Sequence, residues 1–254
     1  MGSMSILFFG LLACSAHTPL DSFPGILWQL PPENSWVEYN VSGGTERLDK
    51  GLLRISAIRD AQRDATRMRW LEATIKWTSS EKIKEGDNFA PEIRTLLLVV
   101  VPENARDRIV FAEGLVKEAY LWEGVLKTTE SLDVDTGLHY LQGALVNVAP
   151  VPVTIDRTDS LSIKTEAGEY MCDVWKGIGS HKYPEATVTV RYEIYVSPDV
   201  PGGIVKAVWT ISDDVQVQDN PSVSREMVLS KVGRDPKPVI EIPKGADNIT
   251  ENKP

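Results

Sequence analysis

The chain has 254 residues, of which 42% are hydrophobic and 25% charged, and its net charge is −9 at pH 7. A globular protein of this size buries roughly 70–75% of the surface of its unfolded chain, so it needs neither disulfides nor a metal in order to fold. The acidic balance excludes a typical nucleic-acid-binding protein, because phosphate contacts require a basic face. One basic cluster is interrupted by acidic residues, and we interpret it as the solvated face of a hairpin. Its members are Arg47, Lys50, Arg54, Arg59, Arg63, Arg67 and Arg69.

An apolar stretch near the N-terminus, residues 6–13, is followed by Cys14 and Ser15. It has the length of the hydrophobic region of a signal peptide and is too short to span a bilayer. Together with Cys14 it resembles a bacterial lipobox, which implies lipid attachment at Cys14 and membrane anchoring in the cell envelope. The residues before it include no Lys or Arg, so a short apolar strand stays open as an alternative. We assign residues 1–20 to this signal-like segment.

Alternating apolar and polar residues predict a series of antiparallel strands from residue 36 onward. The clearest alternation runs from residue 186 to 196, and a Pro/Gly turn at 197–203 separates it from a strand at 204–211. An unbroken apolar run, Leu96 to Val101, suggests a strand that is covered on both faces. The other strands are predicted at about 36–41, 48–58, 66–78, 153–155, 161–165, 170–178 and 225–232.

Residues 105–123 form the one convincing helix in the sequence. Apolar residues recur there at helical spacing and Asn104 can cap the first turn; the stripe consists of Phe111, Leu115, Ala119 and Trp122. The segment 135–148 fits either a short helix or a strand. We therefore predict an α+β fold that is mainly antiparallel β, a curved open sheet or half-barrel with the main helix packed against its concave side. One domain is expected over residues 21–233, followed by a flexible tail, residues 234–254.

The sequence contains no recognisable catalytic, metal-binding or cofactor-binding motif. The three histidines, His17, His139 and His181, lack the spacing of a metal pair, and neither a nucleophile elbow nor a phosphate-binding loop occurs. We expect a protein that is not an enzyme, with no cofactor and no metal. A hydrolase of unknown substrate is a further alternative, and it would need His139 or His181 in a pocket beside carboxylates. We interpret Cys172 as a small buried hydrophobe.

Among the seven tryptophans, Trp70, Trp77, Trp175 and Trp209 lie on predicted strands. They can fill the core, or they can line an apolar ligand cavity, and the two interpretations predict different interior volumes. For the cavity, alternation nominates six inward-facing ligand-binding residues. These are Leu71, Ile75, Trp77, Tyr192, Ile194 and Trp209.

The strand meander, the lipobox-like segment and the turn Val200-Pro201-Gly202-Gly203 together resemble the LolA/LolB/RseB-like envelope proteins. The resemblance implies a lipid or a lipoprotein acyl chain, held in the hollow of the sheet. Our first hypothesis is therefore a non-enzymatic envelope protein that binds an apolar ligand or acyl chain. The second is a structural or interaction lipoprotein with a filled core, which binds a protein partner through an exposed edge or face. The oligomeric state is left open.

Overall fold

The computed structural model describes residues 27–43, 50–63, 65–77, 92–101, 116–123, 129–132, 154–182, 187–213 and 223–242. These residues form eleven strands of a single sheet, in which every paired neighbour is antiparallel. The strands are β1 (Ser35–Gly43), β2 (Lys50–Arg63), β3 (Thr66–Trp77), β4 (Glu92–Val100), β5 (Val116–Glu123), β6 (Thr129–Leu132), β7 (Thr154–Thr165), β8 (Gly168–Lys182), β9 (Thr187–Val196), β10 (Ile204–Asp213) and β11 (Val223–Arg234).

The first and last strands lie side by side in the middle of the sheet. Its order is β6-β5-β4-β3-β2-β1-β11-β10-β9-β8-β7, so each half is a meander of sequential neighbours. We call β1–β6 the N-terminal half and β7–β11 the C-terminal half. Some Cα atoms of β7 lie within 8 Å of Cα atoms of β11, although three strands separate β7 from β11 in the sheet. The C-terminal half is therefore curled.

The predicted α+β class, with a main helix at 105–123, is wrong. The second part of that segment, Val116–Glu123, is strand β5, which pairs with β4 and β6. Residues 105–115 and 135–148 lie outside the described residues. The sequence misled because β5 is covered on both faces: Ala119 belongs to one buried cluster, whereas Tyr120 and Trp122 pack against another. Apolar residues then occur at both odd-numbered and even-numbered positions, and the alternation of apolar and polar residues that marks a strand is lost.

Two hydrophobic clusters occupy opposite faces of the N-terminal half. The inner cluster lies on the face that carries Val37, Leu53, Ile55, Leu71, Ile75 and Leu97. It also includes residues of β9, β10 and β11, so it joins the two halves of the sheet. The outer cluster lies on the other face of β2, β3 and β4, and it consists of Ile58, Ala61, Met68, Trp70, Leu96, Leu98 and Ile240. Leu96 and Leu98 belong to the outer cluster and Leu97 and Val99 to the inner one. This arrangement explains the unbroken apolar run in β4.

The segment after β11, residues 235–242, packs back onto the outer cluster. Ile240 is only 2% exposed, and its backbone N–H donates to the Glu72 carboxylate at 2.9 Å. The N–H of Val239 donates to the same carboxylate oxygen at 2.8 Å. Glu72 is itself 4% exposed, so a buried carboxylate anchors this segment to β3. Residues 243–254, the rest of the tail that we expected to be flexible, lie outside the described residues.

The Pro/Gly turn predicted between residues 197 and 203 connects β9 and β10. Gly202 and Gly203 have φ values of 84° and 80°, which residues with a side chain rarely adopt. The carbonyl of Gly202 accepts a hydrogen bond from the N–H of Trp28 at 2.8 Å, and a Cβ atom on Gly202 would lie 2.9 Å from Leu27. The turn thus holds residues 27–29 against the inner cluster.

Candidate binding surfaces

The six residues predicted to line a ligand cavity lie together in the inner cluster. Leu71, Ile75 and Trp77 come from β3, and Tyr192, Ile194 and Trp209 come from β9 and β10. The alternation therefore placed all six on the face that the two halves share. Their grouping was predictable, because side chains two residues apart on a strand point the same way.

The same six residues are closely packed by protein atoms. Their exposed fractions range from 1% for Ile75 to 6% for Tyr192. A side chain that lines a hollow large enough for an acyl chain would expose surface to that hollow. Such low fractions instead indicate the packing of an ordinary protein interior. At these six positions the described structure offers a filled core.

Polar groups within or beside the inner cluster are unusual in two respects. The buried indole Nε1 atoms of Trp175 and Trp209 have no acceptor among the described residues. Arg225 is 2% exposed, and its guanidinium carbon lies 4.9 Å from the centre of the Trp77 ring. Burial lowers the pKa of Arg225 to about 10 and raises that of Tyr192 far above its ordinary value. Sequence reasoning did not single out Arg225.

A groove of about 690 Å³ lies on the other face of the C-terminal half, across β7, β8, β9 and β10. Its lining residues are Asp156, Lys176, Gly177, Ile178, Arg191, Tyr192, Glu193, Val208 and Thr210. The strand register arranges most of them in two rows. One row runs Ile178–Arg191–Thr210, and the next runs Asp156–Lys176–Glu193–Val208. We call this feature the outer groove.

Charges in the outer groove are partly paired. The Lys176 ammonium lies 3.1 Å from the Glu193 carboxylate, and the Tyr195 hydroxyl also donates to Glu193. The hydrogen bond from Tyr195, followed by Lys176, holds the pKa of Glu193 below its ordinary value. Arg191 is exposed and forms no ion pair with any residue in the described part of the chain. The sequence indicated that these two side chains face away from the core, because Arg191 and Glu193 are among the polar residues that alternate with apolar ones in β9.

Strand β7 is an edge of the sheet and pairs, within the described ranges, with β8 alone. Pairing between β8 and β9 begins at Asp173, so residues 161–172 extend beyond β9 as a two-stranded ribbon. One face of the ribbon packs inward through Cys172, which is fully buried. Met171 lies on the opposite face and is 66% exposed, whereas Leu161, which pairs with Cys172 and shares its face, is 37% exposed. An edge strand with unpaired backbone groups is a template for another chain.

The sequence analysis also considered a cysteine, the histidines, a metal site and a membrane span. Cys172 is a buried free thiol, and burial together with Asp173 raises its pKa to about 11, so it is a poor nucleophile. No group of three or more His, Cys, Asp or Glu residues in the described ranges is placed to hold a metal ion. Cys14, His17 and His139 lie outside those ranges, as does the side chain of His181. No helix within the same ranges is long and apolar enough to cross a membrane.

Comparison with known proteins gives two solved structures and no sequence relative. No protein-family model and no curated protein matches the chain. A candidate exported protein with a YmcC-like fold from Bacteroides fragilis NCTC 9343 is 10% identical, with a TM-score of 0.40 over 82% of this chain and 100% of that chain. A candidate lipoprotein from Parabacteroides distasonis ATCC 8503 is 11% identical, with a TM-score of 0.39 over 82% of this chain and 99% of that chain. Neither description names a ligand, a partner or an activity.

Proposed function

We propose that this chain is a non-enzymatic protein of the cell envelope, with a filled core, that binds a protein partner by strand addition at β7. The envelope location is supported by the lipobox-like sequence that ends at Cys14. A filled core makes the sheet a rigid support, since closely packed interiors deform little. The partner's strand would continue the sheet beyond β7.

The observation that carries this proposal is the long edge presented by β7. After a register shift between Arg157 and Asp159, pairing with β8 is regular from Ser160↔Asp173 to Thr165↔Gly168. Six consecutive residues therefore present one backbone edge, and strand addition obtains its affinity from main-chain hydrogen bonds along such an edge. Leu161, which is 37% exposed, offers an apolar contact beside it.

Photo-crosslinking in intact cells tests the proposal. A photoreactive amino acid replaces Ser162 on the β7 edge, and a matched variant carries it at Val232, which is 41% exposed on the central strand β11. We expect a product of discrete mass from the Ser162 position and none from Val232. No product from Ser162, or the same product from both positions, would contradict the proposal.

A second candidate, a carrier of an apolar ligand or acyl chain, is favoured by the indole groups of Trp175 and Trp209. Their buried N–H donors lack acceptors among the described residues, and a carboxyl or ester oxygen of a ligand would accept from them. The packed side chains of the inner cluster would have to separate to admit the ligand. Native mass spectrometry after gel filtration tests this candidate: a retained lipid that Trp209→Phe releases would support it, and a lipid-free mass would exclude it.

A further inference from the structure

The outer groove presents a cation beside apolar surface. In the strand register Arg191 lies directly between Ile178 on β8 and Thr210 on β10. Ile178 is 53% exposed, and Val208 lines the groove in the next row. A guanidinium group binds carboxylate or phosphate oxygens through a planar pair of N–H donors. The neighbouring hydroxyl of Thr210 adds a donor of the right kind for the same oxygens.

The other charges of the groove leave Arg191 available. Glu193 is already engaged by Lys176 and Tyr195. Asp156 lies two strands away from Arg191 and opposite Lys176, so the positive side of the groove is the Arg191 side. The charges of Asp156, Lys176, Arg191 and Glu193 sum to zero. Attraction of an anion therefore depends on direct contact with Arg191 and not on a long-range electrostatic field.

We infer that the outer groove binds an amphiphile with an anionic headgroup, a carboxylate or a phosphate. Arg191 and Thr210 contact the headgroup, and Ile178 and Val208 contact the adjacent hydrocarbon. The groove, of about 690 Å³, is open to solvent and crosses four strands, so it has room for a molecule much larger than a single phosphate. Asp156 of β7 and Tyr192 of the inner cluster border the groove, but the four residues that contact the ligand belong neither to the edge at residues 160–165 nor to the inner cluster. The inference therefore does not depend on the function proposed above.

A titration followed by NMR or calorimetry tests the inference with three small probes. Octanoate carries both the anion and the chain, octylammonium reverses the charge, and inorganic phosphate lacks the chain. We expect octanoate to bind at least about tenfold more tightly than either other probe, since a charge-assisted hydrogen bond and buried methylene groups each contribute at that level. Equal binding of octanoate and octylammonium, or of octanoate and phosphate, would overturn the inference.

Variants locate the site. Arg191→Gln should weaken octanoate binding about tenfold and Ile178→Ser several-fold, whereas Arg191→Lys should retain part of the affinity. The matched control is Arg234→Gln, which removes an exposed arginine at the end of β11. An unchanged affinity in Arg191→Gln, or an equal loss in the control, would overturn the assignment. Crosslinking from Ser162 should be unaffected by Arg191→Gln, which keeps the two tests distinct.

Vesicles distinguish a membrane lipid from a free amphiphile as the source of the headgroup. Binding to phosphatidylglycerol vesicles in addition to octanoate, lost in Arg191→Gln, would identify a lipid headgroup. Binding to octanoate alone would identify a free amphiphile. Phosphatidylcholine vesicles serve as the zwitterionic control, and binding to them that equals binding to phosphatidylglycerol would contradict recognition through the anionic group.

Discussion

The two halves of the sheet differ in how their faces are covered. In the N-terminal half, residues from Met68 to Ala73 on β3 are buried without interruption, as are those from Thr95 to Val99 on β4. In the C-terminal half, β9 alternates strictly between buried and accessible residues from Val190 to Val196. The N-terminal half is therefore covered on both faces at β3 and β4, whereas the C-terminal half has an accessible face at β9.

The difference comes from the segment after β11. Ile240 covers the outer cluster of the N-terminal half, and Glu72 fixes its backbone. No described segment covers the outer groove or the exposed side of the β7–β8 ribbon in the same way. The contrast teaches where binding can occur: the N-terminal half supplies stability, and the open face and edge of the C-terminal half are the surfaces available to a partner or ligand.

Trp70→Ala should produce the largest loss of stability. Trp70 is fully buried at the centre of the outer cluster, and truncating a buried aromatic residue costs about 3–5 kcal/mol of unfolding free energy. Urea unfolding measures it. A loss below about 1 kcal/mol would show that the outer face of the N-terminal half is not a second core, and would break the comparison.

Asp60→Asn should have the second-largest effect and lower the free energy of unfolding by about 2–3 kcal/mol at neutral pH. Asp60 accepts hydrogen bonds from Arg69, at 2.5 and 3.0 Å, and from Arg67 at 2.6 Å. Partial burial raises the pKa of Asp60, but Arg69 and Arg67 outweigh it and hold this pKa below its ordinary value. The stabilisation is thus present above the ordinary range near pH 4 and is lost as the pH falls through the lowered value.

The pH dependence provides the check on Asp60. Unfolding curves of the wild type and of Asp60→Asn should differ at pH 7 and converge in strong acid, where both side chains are neutral. A difference that persists undiminished in acid would mean that the substitution disturbs packing and that the ion pairs contribute little.

Glu72→Gln should cost about 1–2 kcal/mol, because a neutral amide oxygen replaces the charged acceptor of two backbone N–H groups. Amide hydrogen exchange is the sharper measurement: exchange at Val239 and Ile240 should accelerate, while exchange in β9 stays unchanged. Glu226→Gln, which removes an ion pair with Lys206 at the surface, is the control. Unchanged exchange at both amides would contradict the role of Glu72 as the anchor.

Met171→Ser should have the smallest effect, within about 0.5 kcal/mol, because Met171 is 66% exposed on the ribbon. The same urea titration measures it. A loss above about 1 kcal/mol would mean that this side of the C-terminal half is covered, and would remove the contrast between the halves.

Much of the sheet was predictable where one face is wet. The alternation in β9 and β10 and the turn between them were predicted nearly to the residue, and the six inward residues were correctly grouped on one face. The ribbon was predicted as three short pieces, 153–155, 161–165 and 170–178, whereas β7 and β8 are continuous. A ribbon exposed on most of its surface carries little hydrophobic pattern from which to set its limits.

The prediction of a helix at 105–123 was wrong because hydrophobic periodicity alone does not identify a strand that is buried on both faces. In β5, Ala119 belongs to the inner cluster and Trp122 packs against the outer cluster. Two apolar residues on opposite faces of the strand are therefore three residues apart, and that spacing imitates a helical stripe. Whether the inner cluster was filled or hollow was not predictable, because the same inward residues serve both arrangements.

The central claim, that the inner cluster is filled and that binding belongs to the open surfaces of the C-terminal half, can be tested with xenon. Xenon occupies dry apolar cavities, and xenon NMR detects a saturable site. We expect no saturable site in the wild type and one in Ile194→Ala, in which a buried side chain is removed from the cluster. A saturable site in the wild type that Ile194→Ala merely enlarges would contradict the account.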